Sequence, residues 1–514
     1  MFPRADSLDC YTYSPSGRRV DEDLSSSSGG GLTTPDDTSN YLFDFLFTVG
    51  PDIEKLEFLG VVAESRVKLL NVESVAPATD SAIVGNISKF AFEKSTADVL
   101  KLESLHAAHR YLRKDEVDVS EFFAFTVNIQ SVRRSSLMGR GNSCFCFCLE
   151  GSELVPLPDH PGYTAIVPVR YVVVSERPFV DLFFQLLKNI KSDRLRCMKQ
   201  YWTTGVMDRS SWFSHSARIT SILRSLVMSP WCPPSSALHY DPIPISVSRP
   251  PVCGYEKIWE KSEFWIAWFT LGLAKDLSRS ALYSLVAACL MEQKIMIISE
   301  SQSRRANAVI GLLGFVSDAL RWPHPVLASP PGDIAGELPN APTPVIAALA
   351  PSRRYAKPES VSRRFSDVFK KRVSLDLRRI GNENCVFLNI DEYKKASIYW
   401  LTSSGCDSVV RSAIELEHVP VDPVRLSPER LSWMQTQAVQ AGIDMGEVEE
   451  LLQMVETVKA KIRFVVGDVS AAVRTKLDSA SSFGDACTLA EREMEPSELR
   501  RGLVRSQAFE LLLE

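Results

Sequence analysis

ALYSLVAACLMEQKIMIIS, residues 281–299, is the stretch from which the rest of the chain can be read. Its first part places Leu282, Leu285, Val286, Cys289 and Leu290 at helical spacing, which gives one apolar face and predicts an amphipathic helix. Ser278 stands where an N-cap belongs, because a hydroxyl there can accept from amide groups that the first turn leaves unpaired. Met291-Glu292-Gln293 leads out of the helix into Ile295-Met296-Ile297-Ile298. A short, unbroken apolar run between polar residues reads as a strand buried on both faces. Working outward, Val309, Leu312, Leu313, Val316 and Leu320 mark a second helix, expected to stop at Trp322-Pro323 because proline cannot continue it. Pro325–Ala328 and Pro344–Leu349 supply two further strands. Helices and strands alternating through Leu277–Leu349 predict a mostly parallel sheet packed by helices.

The flanks have a different texture. Residues 1–40 are rich in Ser, Gly, Asp and Thr and lack the apolar side chains that offset ordering entropy, so they read as a disordered tail. From Tyr41, Phe43, Phe45, Phe47 and Val49 alternate with Leu42, Asp44, Leu46 and Thr48, predicting a strand with one aromatic face. Further strands are expected at Glu121–Gln130, Ser143–Leu149 and Ile166–Val174, a helix around Thr96–Leu112, and an exposed hairpin loop at 131–142 carrying Arg133, Arg134 and Arg140. Strands of this kind with few helices indicate an antiparallel α+β lobe. Phe179, Phe183, Leu186, Leu187 and Ile190 share one face of a following helix, whereas 191–260 is broken by prolines into extended connections. Downstream, Cys385–Asp391 is one more strand, Ser427-Pro428-Glu429 is a helix start, and Glu447–Val465, Asp468–Leu477 and the remainder to Leu512 are helical in pattern.

The order of these features is similar to that of a tripartite DENN domain, from residue 41 to the end and most closely over 277–349. Phe43 and Asp44 match the Phe-Asp-rich strand that opens the family's upstream longin-like lobe, and Pro178 and Phe179 the Ser-x-x-Pro-Phe transition to its central lobe. Glu292 and Ser299 match the Leu-x-Glu strand motif that ends in Ser, Trp322 and Pro323 the Trp ahead of a His, and Pro342, Thr343 and Pro344 the Ala-Pro-Thr-Pro segment. Asp391 matches the strand that opens the downstream module, with Asn389 in place of its first Asp. Val345 and Ala348 stand where the family carries Phe and Gly, and Pro325 follows His324 at once. The resemblance implies an upstream lobe at 41–176, a central α/β core at 177–351, a basic insert at 352–381 and a mostly helical downstream module at 382–514. It implies a guanine-nucleotide exchange factor for a Rab-family small GTPase in membrane trafficking, with no cofactor and no catalytic residue. Two alternatives remain, a GTPase-activating protein and a non-catalytic GTPase-binding scaffold. Family members of the activating kind carry an arginine finger on the loop between the last two strands of the first lobe. Here Gly151–Thr164 holds no Arg or Lys, and only the 131–142 arginines keep that alternative open.

Composition is that of an ordinary globular chain, 45% hydrophobic and 24% charged, and a net charge of −5 gives no footprint for nucleic acid. Met1–Cys10 has no apolar centre, no apolar run reaches the roughly 18 residues of a membrane span, and eleven scattered cysteines form no disulfide pattern. The expectation is a cytoplasmic protein. Neither a Walker loop, a Gly-x-Ser-x-Gly elbow nor a kinase glycine loop occurs. Cys144, Cys146 and Cys148 share a strand face, but no second pair follows at ligand spacing, so core packing is expected rather than a metal. His106 and His109 lack a third ligand in the same way. Asp391, at a strand's carboxyl end, is read as a cap or turn residue before a catalytic one, and Trp322 as a core plug before an interface anchor. Ser352–Ile380 carries ten Lys/Arg against three acidic residues, a net charge of +7. Val361, Phe365, Val368, Phe369 and Val373 form its apolar stripe, edged by Arg363, Arg364, Lys370, Lys371 and Arg372. Two readings stay open for it: a solvated insertion, or a peripheral anionic-membrane contact that phosphorylation of Ser366 or Ser374 would release.

Overall fold

The computed structural model describes residues 45–51, 67–74, 81–92, 101–104, 121–128, 143–156, 163–175, 179–204, 238–240, 243–245, 263–317, 319–320, 322–351, 385–391, 397–400, 403–494 and 497–513. Its first part is an antiparallel sheet of β1 (Phe45–Pro51), β2 (Val67–Ser74), β3 (Lys101–Ser104), β4 (Phe122–Asn128), β5 (Ser143–Pro156) and β6 (Tyr163–Ser175). The order is β2-β1-β6-β5-β4, with β3 also paired to β6. α1 (Ser81–Ala91) follows β2, and α2 (Val180–Thr204) follows β6. Phe179, Phe183, Leu186, Leu187 and Ile190 are all buried, so the apolar spacing at the start of α2 is its packing face.

β1 is the strand expected from the aromatic alternation, lies between β2 and β6, and buries Leu46, Phe47, Thr48 and Val49. Two sequence expectations fail in this lobe. The helix expected around Thr96–Leu112 is interrupted at Lys101–Ser104, which is strand β3 in register with Tyr163–Ile166. Lys-Leu-Glu-Ser has too few residues to display either period, so pairing with β6 decides its conformation. Gly151–Thr164 is not one loop, since Gly151–Pro156 continues β5 and Tyr163–Thr164 begins β6. Cys144, Cys146 and Cys148 are buried in the core as expected. Burial pushes the Cys148 thiol well above its ordinary range, the opposite of what a metal-binding thiolate needs. His106, His109 and the 131–142 loop lie outside the described residues.

β7 (Leu238–Tyr240) and β8 (Ile243–Ile245) pair antiparallel with each other. The second sheet has the order β10-β11-β9-β12-β13, where β9 is Lys294–Ile298, β10 Val326–Leu327, β11 Ile346–Leu349, β12 Cys385–Asn389 and β13 Ser397–Trp400. β10, β11, β9 and β12 are mutually parallel, and β13 closes the far edge antiparallel to β12. α3 (Arg279–Leu290) begins at Ser278, whose hydroxyl accepts from the Ala281 amide at 3.3 Å. α4 (Gln302–Val316) is capped in the same way by Ser301 and ends some residues short of Trp322-Pro323. α4 crosses the π-helical turn Ile266–Thr270 at very close range. The Thr270 hydroxyl donates to the Gly311 carbonyl at 3.1 Å, and a Cβ on Gly311 would lie 2.6 Å from the Phe269 carbonyl oxygen. Only glycine allows that approach.

The rest is helical: α5 (Ser403–His418), α6 (Pro428–Gln440), α7 (Met445–Leu477), α8 (Phe483–Glu493), α9 (Glu498–Val504) and α10 (Gln507–Leu513). The two helical stretches expected on either side of Val466-Gly467 are one helix, α7. Ser427 caps α6 with Pro428 in its first turn. Arg430 then reaches back to Glu263 through two hydrogen bonds and to Glu456 at 2.8 Å, joining the central lobe to α6 and α7 through a nearly buried ionic cluster. No described helix is long and apolar enough to cross a membrane.

Candidate functional site

In a parallel sheet, ligand-facing residues gather beyond the carboxyl ends of the strands. β9 and β12 end side by side, with Ile298 opposite Asn389. Just past them, Ser299 donates its hydroxyl to Asp391 Oδ1 at 2.5 Å, and the Glu300 amide donates to Asp391 Oδ2 at 2.7 Å. Asn389 Oδ1 accepts from the Asp391 amide at 3.1 Å, fixing the turn that aims the carboxylate. Arg304 lies 3.8 Å from Asp391 and pairs through two nitrogens with Asp276, the last residue of the helical segment Leu271–Asp276. Arg305 is almost fully buried beneath this cluster and donates to the carbonyls of Ser299 and Glu300. Burial brings its pKa down to about 10, and the nearby Asp391 carboxylate opposes the fall. Ser299 is fully buried and its hydroxyl is committed to Asp391, so the pair is a tie between two strand ends. The cap or turn role expected of Asp391 is what its contacts describe.

A second motif cluster forms at the opposite ends of the strands. Glu292 adopts the left-handed conformation at φ 50°, uncommon for a residue with a side chain, between α3 and β9. Its carboxylate accepts from the Ala508 amide in the first turn of α10 at 2.8 Å and lies 3.2 Å from His324 Nε2. The Trp322 and His324 rings meet edge to face at 5.3 Å, and Trp322 packs half-buried against the main core, the plug expected of it. Pro323 is half-buried; Pro342 and Thr343 are exposed; Pro344 is half-buried as the chain turns into β11. Phe179 is buried, while Phe43, Asp44 and Pro178 lie outside the described residues. So do Arg363, Arg364, Phe365, Ser366, Phe369, Lys370, Lys371, Arg372 and Ser374.

Sequence reasoning missed the polar side chains that join the two lobes. The Asn307 amide on α4 donates to the Phe122 carbonyl at 2.8 Å and accepts from the Ala124 amide at 3.3 Å, pairing with the edge strand β4 as a further strand would. Toward the start of the same helix, Gln302 donates to Ser329 and to the carbonyls of Phe90 and Ala91, the last two residues of α1. Ser329 donates to the Phe90 carbonyl at 2.6 Å. Arg170 on β6, itself buried, donates to Gln302 at 3.4 Å, pairs with Glu150 at 3.3 Å and lies over the Phe92 ring. An amide on an amphipathic helix reads as a solvated one; the only signal was position, a polar Ser-Gln-Ser-Arg-Arg-Ala-Asn run directly after a parallel strand.

These clusters hold elements together and fix surfaces relative to one another; what they offer is a shaped, rigid platform. No family model and no curated protein matches this chain.

Proposed function

We propose that this chain is a guanine-nucleotide exchange factor for a Rab-type small GTPase, acting from the cytosol as a DENN-like protein. The observation that carries the reading is the placement of the matched motif residues. Ser299 and Asp391 meet across 92 positions, and Glu292 meets both His324 and the last helix. Residues that a shared motif would preserve thus sit where strands, turns and helices must be held in register. The order of an antiparallel lobe, a parallel α/β lobe and a helical region also supports it.

Exchange makes and breaks no covalent bond. A factor that binds the nucleotide-free GTPase more tightly than the GDP-bound one weakens GDP binding by the same free energy. What it needs is a firm surface of about 1,200–2,000 Å² buried with its partner. Two sheets tied through α4 supply firmness, because the partner's binding energy is then not spent on ordering the lobes. The test is release of a fluorescent GDP from a panel of Rab GTPases on addition of the purified chain. Accelerated release from at least one member supports exchange. Accelerated phosphate release without faster GDP release would identify an activating protein, and binding without either effect a scaffold.

A further inference from the structure

The chain contains six steps in which a hydroxyl residue precedes proline, at Ser14, Thr34, Ser229, Ser329, Thr343 and Ser427. The proline of such a step offers no amide hydrogen and has its φ held at about −65°. An enzyme that modifies the hydroxyl and selects for the proline must take the chain extended and reach both side chains. Ser14, Thr34 and Ser229 lie outside the described residues, which leaves three steps to compare.

Ser329 is fully buried, and its hydroxyl donates to the Phe90 carbonyl and accepts from Gln302. Thr343 is exposed, but Pro344 is half-buried and Val345 is buried as the chain enters β11. Ser427 and Pro428 are both exposed. They close the segment 419–427 between α5 and α6, which belongs to no helix or strand. None of residues 420–426 exchanges a backbone-to-backbone hydrogen bond with another described residue. Ser427 itself is extended, at φ −69° and ψ 140°. Its hydroxyl accepts from the Arg430 amide at 3.2 Å and makes no other hydrogen bond among the described residues, so its proton is uncommitted. Arg425, two residues earlier, is exposed and has no ion-pair partner among the described residues, a cation close enough in sequence to meet a phosphate at Ser427.

We propose that Ser427 is a phosphorylation site for a proline-directed Ser/Thr protein kinase. The donor is ATP. The Ser427 hydroxyl gives its proton to the kinase's carboxylate base, Oγ forms a bond to the γ-phosphorus as the bond from that phosphorus to the β,γ-bridging oxygen breaks, and ADP leaves. The phosphate oxygens then replace the hydroxyl as acceptor for the Arg430 amide, and a charge of about −1.5 to −2 joins the positive end of a 13-residue helix. The Arg430 side chain holds Glu263 and Glu456, so a firmer first turn of α6 strengthens the joint to the central lobe and α7. This inference does not depend on the exchange reading.

The test incubates the full chain with ATP and, in separate reactions, an active mitogen-activated kinase and an active cyclin-dependent kinase. Phosphate is located by mass spectrometry, with trypsin releasing Leu426–Arg430 as one peptide. Ser427 should fill before Thr343, and Ser329 should stay unmodified. The Ser427 signal should be lost in Ser427→Ala and also in Pro428→Ala, which keeps the hydroxyl. In the phosphorylated chain, hydrogen exchange at the Arg430 amide should slow about two- to fivefold. No phosphate on Ser427 of the folded chain with either kinase would overturn the proposal, and labelling of a synthetic 419–430 peptide in the same reaction would show that the fold hides the serine. Equal labelling of Ser427 in Pro428→Ala would overturn the proline-directed assignment. Phosphorylation with unchanged or faster exchange at Arg430 would overturn the consequence drawn for α6.

Discussion

The two sheets are made of similarly apolar strands but are completed in different ways. In the upstream sheet, neighbours are joined antiparallel and the exposed edge at β4 is closed by a single amide, Asn307. The parallel sheet is closed by side chains at its strand ends, Ser299 with Asp391 and Glu292 with the α10 amide. One helix serves both sheets. The apolar side of α4 shares the core of the parallel sheet, while Gln302 and Asn307 hold the upstream lobe through hydrogen bonds. The joint between lobes therefore owes its register to directional bonds as well as to apolar burial, which is non-directional.

Substitutions can pull the two halves apart. The largest effect is expected for Arg430→Met, which leaves Glu263 and Glu456 nearly buried without their shared cation and should cost about 3–5 kcal/mol in chemical denaturation. Its pH dependence has a definite sign. Burial raises the Glu263 pKa above the ordinary 4.5, with Arg430 opposing, so the folded state holds a proton that the unfolded chain has released. Stability from this group falls as pH rises through the window that opens at 4.5, and removing Arg430 widens that window upward. The Arg430→Met deficit should therefore be smaller at pH 5 than at pH 8. Next comes Asn307→Ala, which strands a carbonyl and an amide on β4 and should cost about 1–3 kcal/mol. Amide hydrogen exchange should rise in 122–128 and remain unchanged in β9; an equal rise in both would mean that the lobes do not have separate closures. The smallest effect is expected for Asp391→Asn, which keeps the shape but weakens two bonds to a charged acceptor. About 1–2 kcal/mol should be lost, with faster exchange at the Glu300 amide and none at β4.

The same contrast explains what could be read from the chain. The parallel half was legible because its elements are long or unbroken: the 281–290 spacing, the Ile295–Ile298 run and the Ser427-Pro428 start each carry their own local physics. The upstream half was legible only where strands are long. β3 is four residues without a period, and β2 and α1 fall in a mixed-charge stretch whose form is set by neighbours in space. Ser299 was singled out by the resemblance and Asp391 also by its place at a strand's carboxyl end, yet their contact was not, because no local rule links residues 92 apart. Gln302 and Asn307 were not singled out at all, since burial is a property of the partner surface as much as of the helix that meets it.

The most direct test of the exchange reading is a pair of affinities for the GTPase that responds best in the release panel. The account predicts that the chain binds the nucleotide-free form more tightly than the GDP-loaded form, since that difference is the free energy available to expel GDP. Equal affinity for both forms would contradict it, however tight the binding, because a protein that does not distinguish the two states cannot shift them.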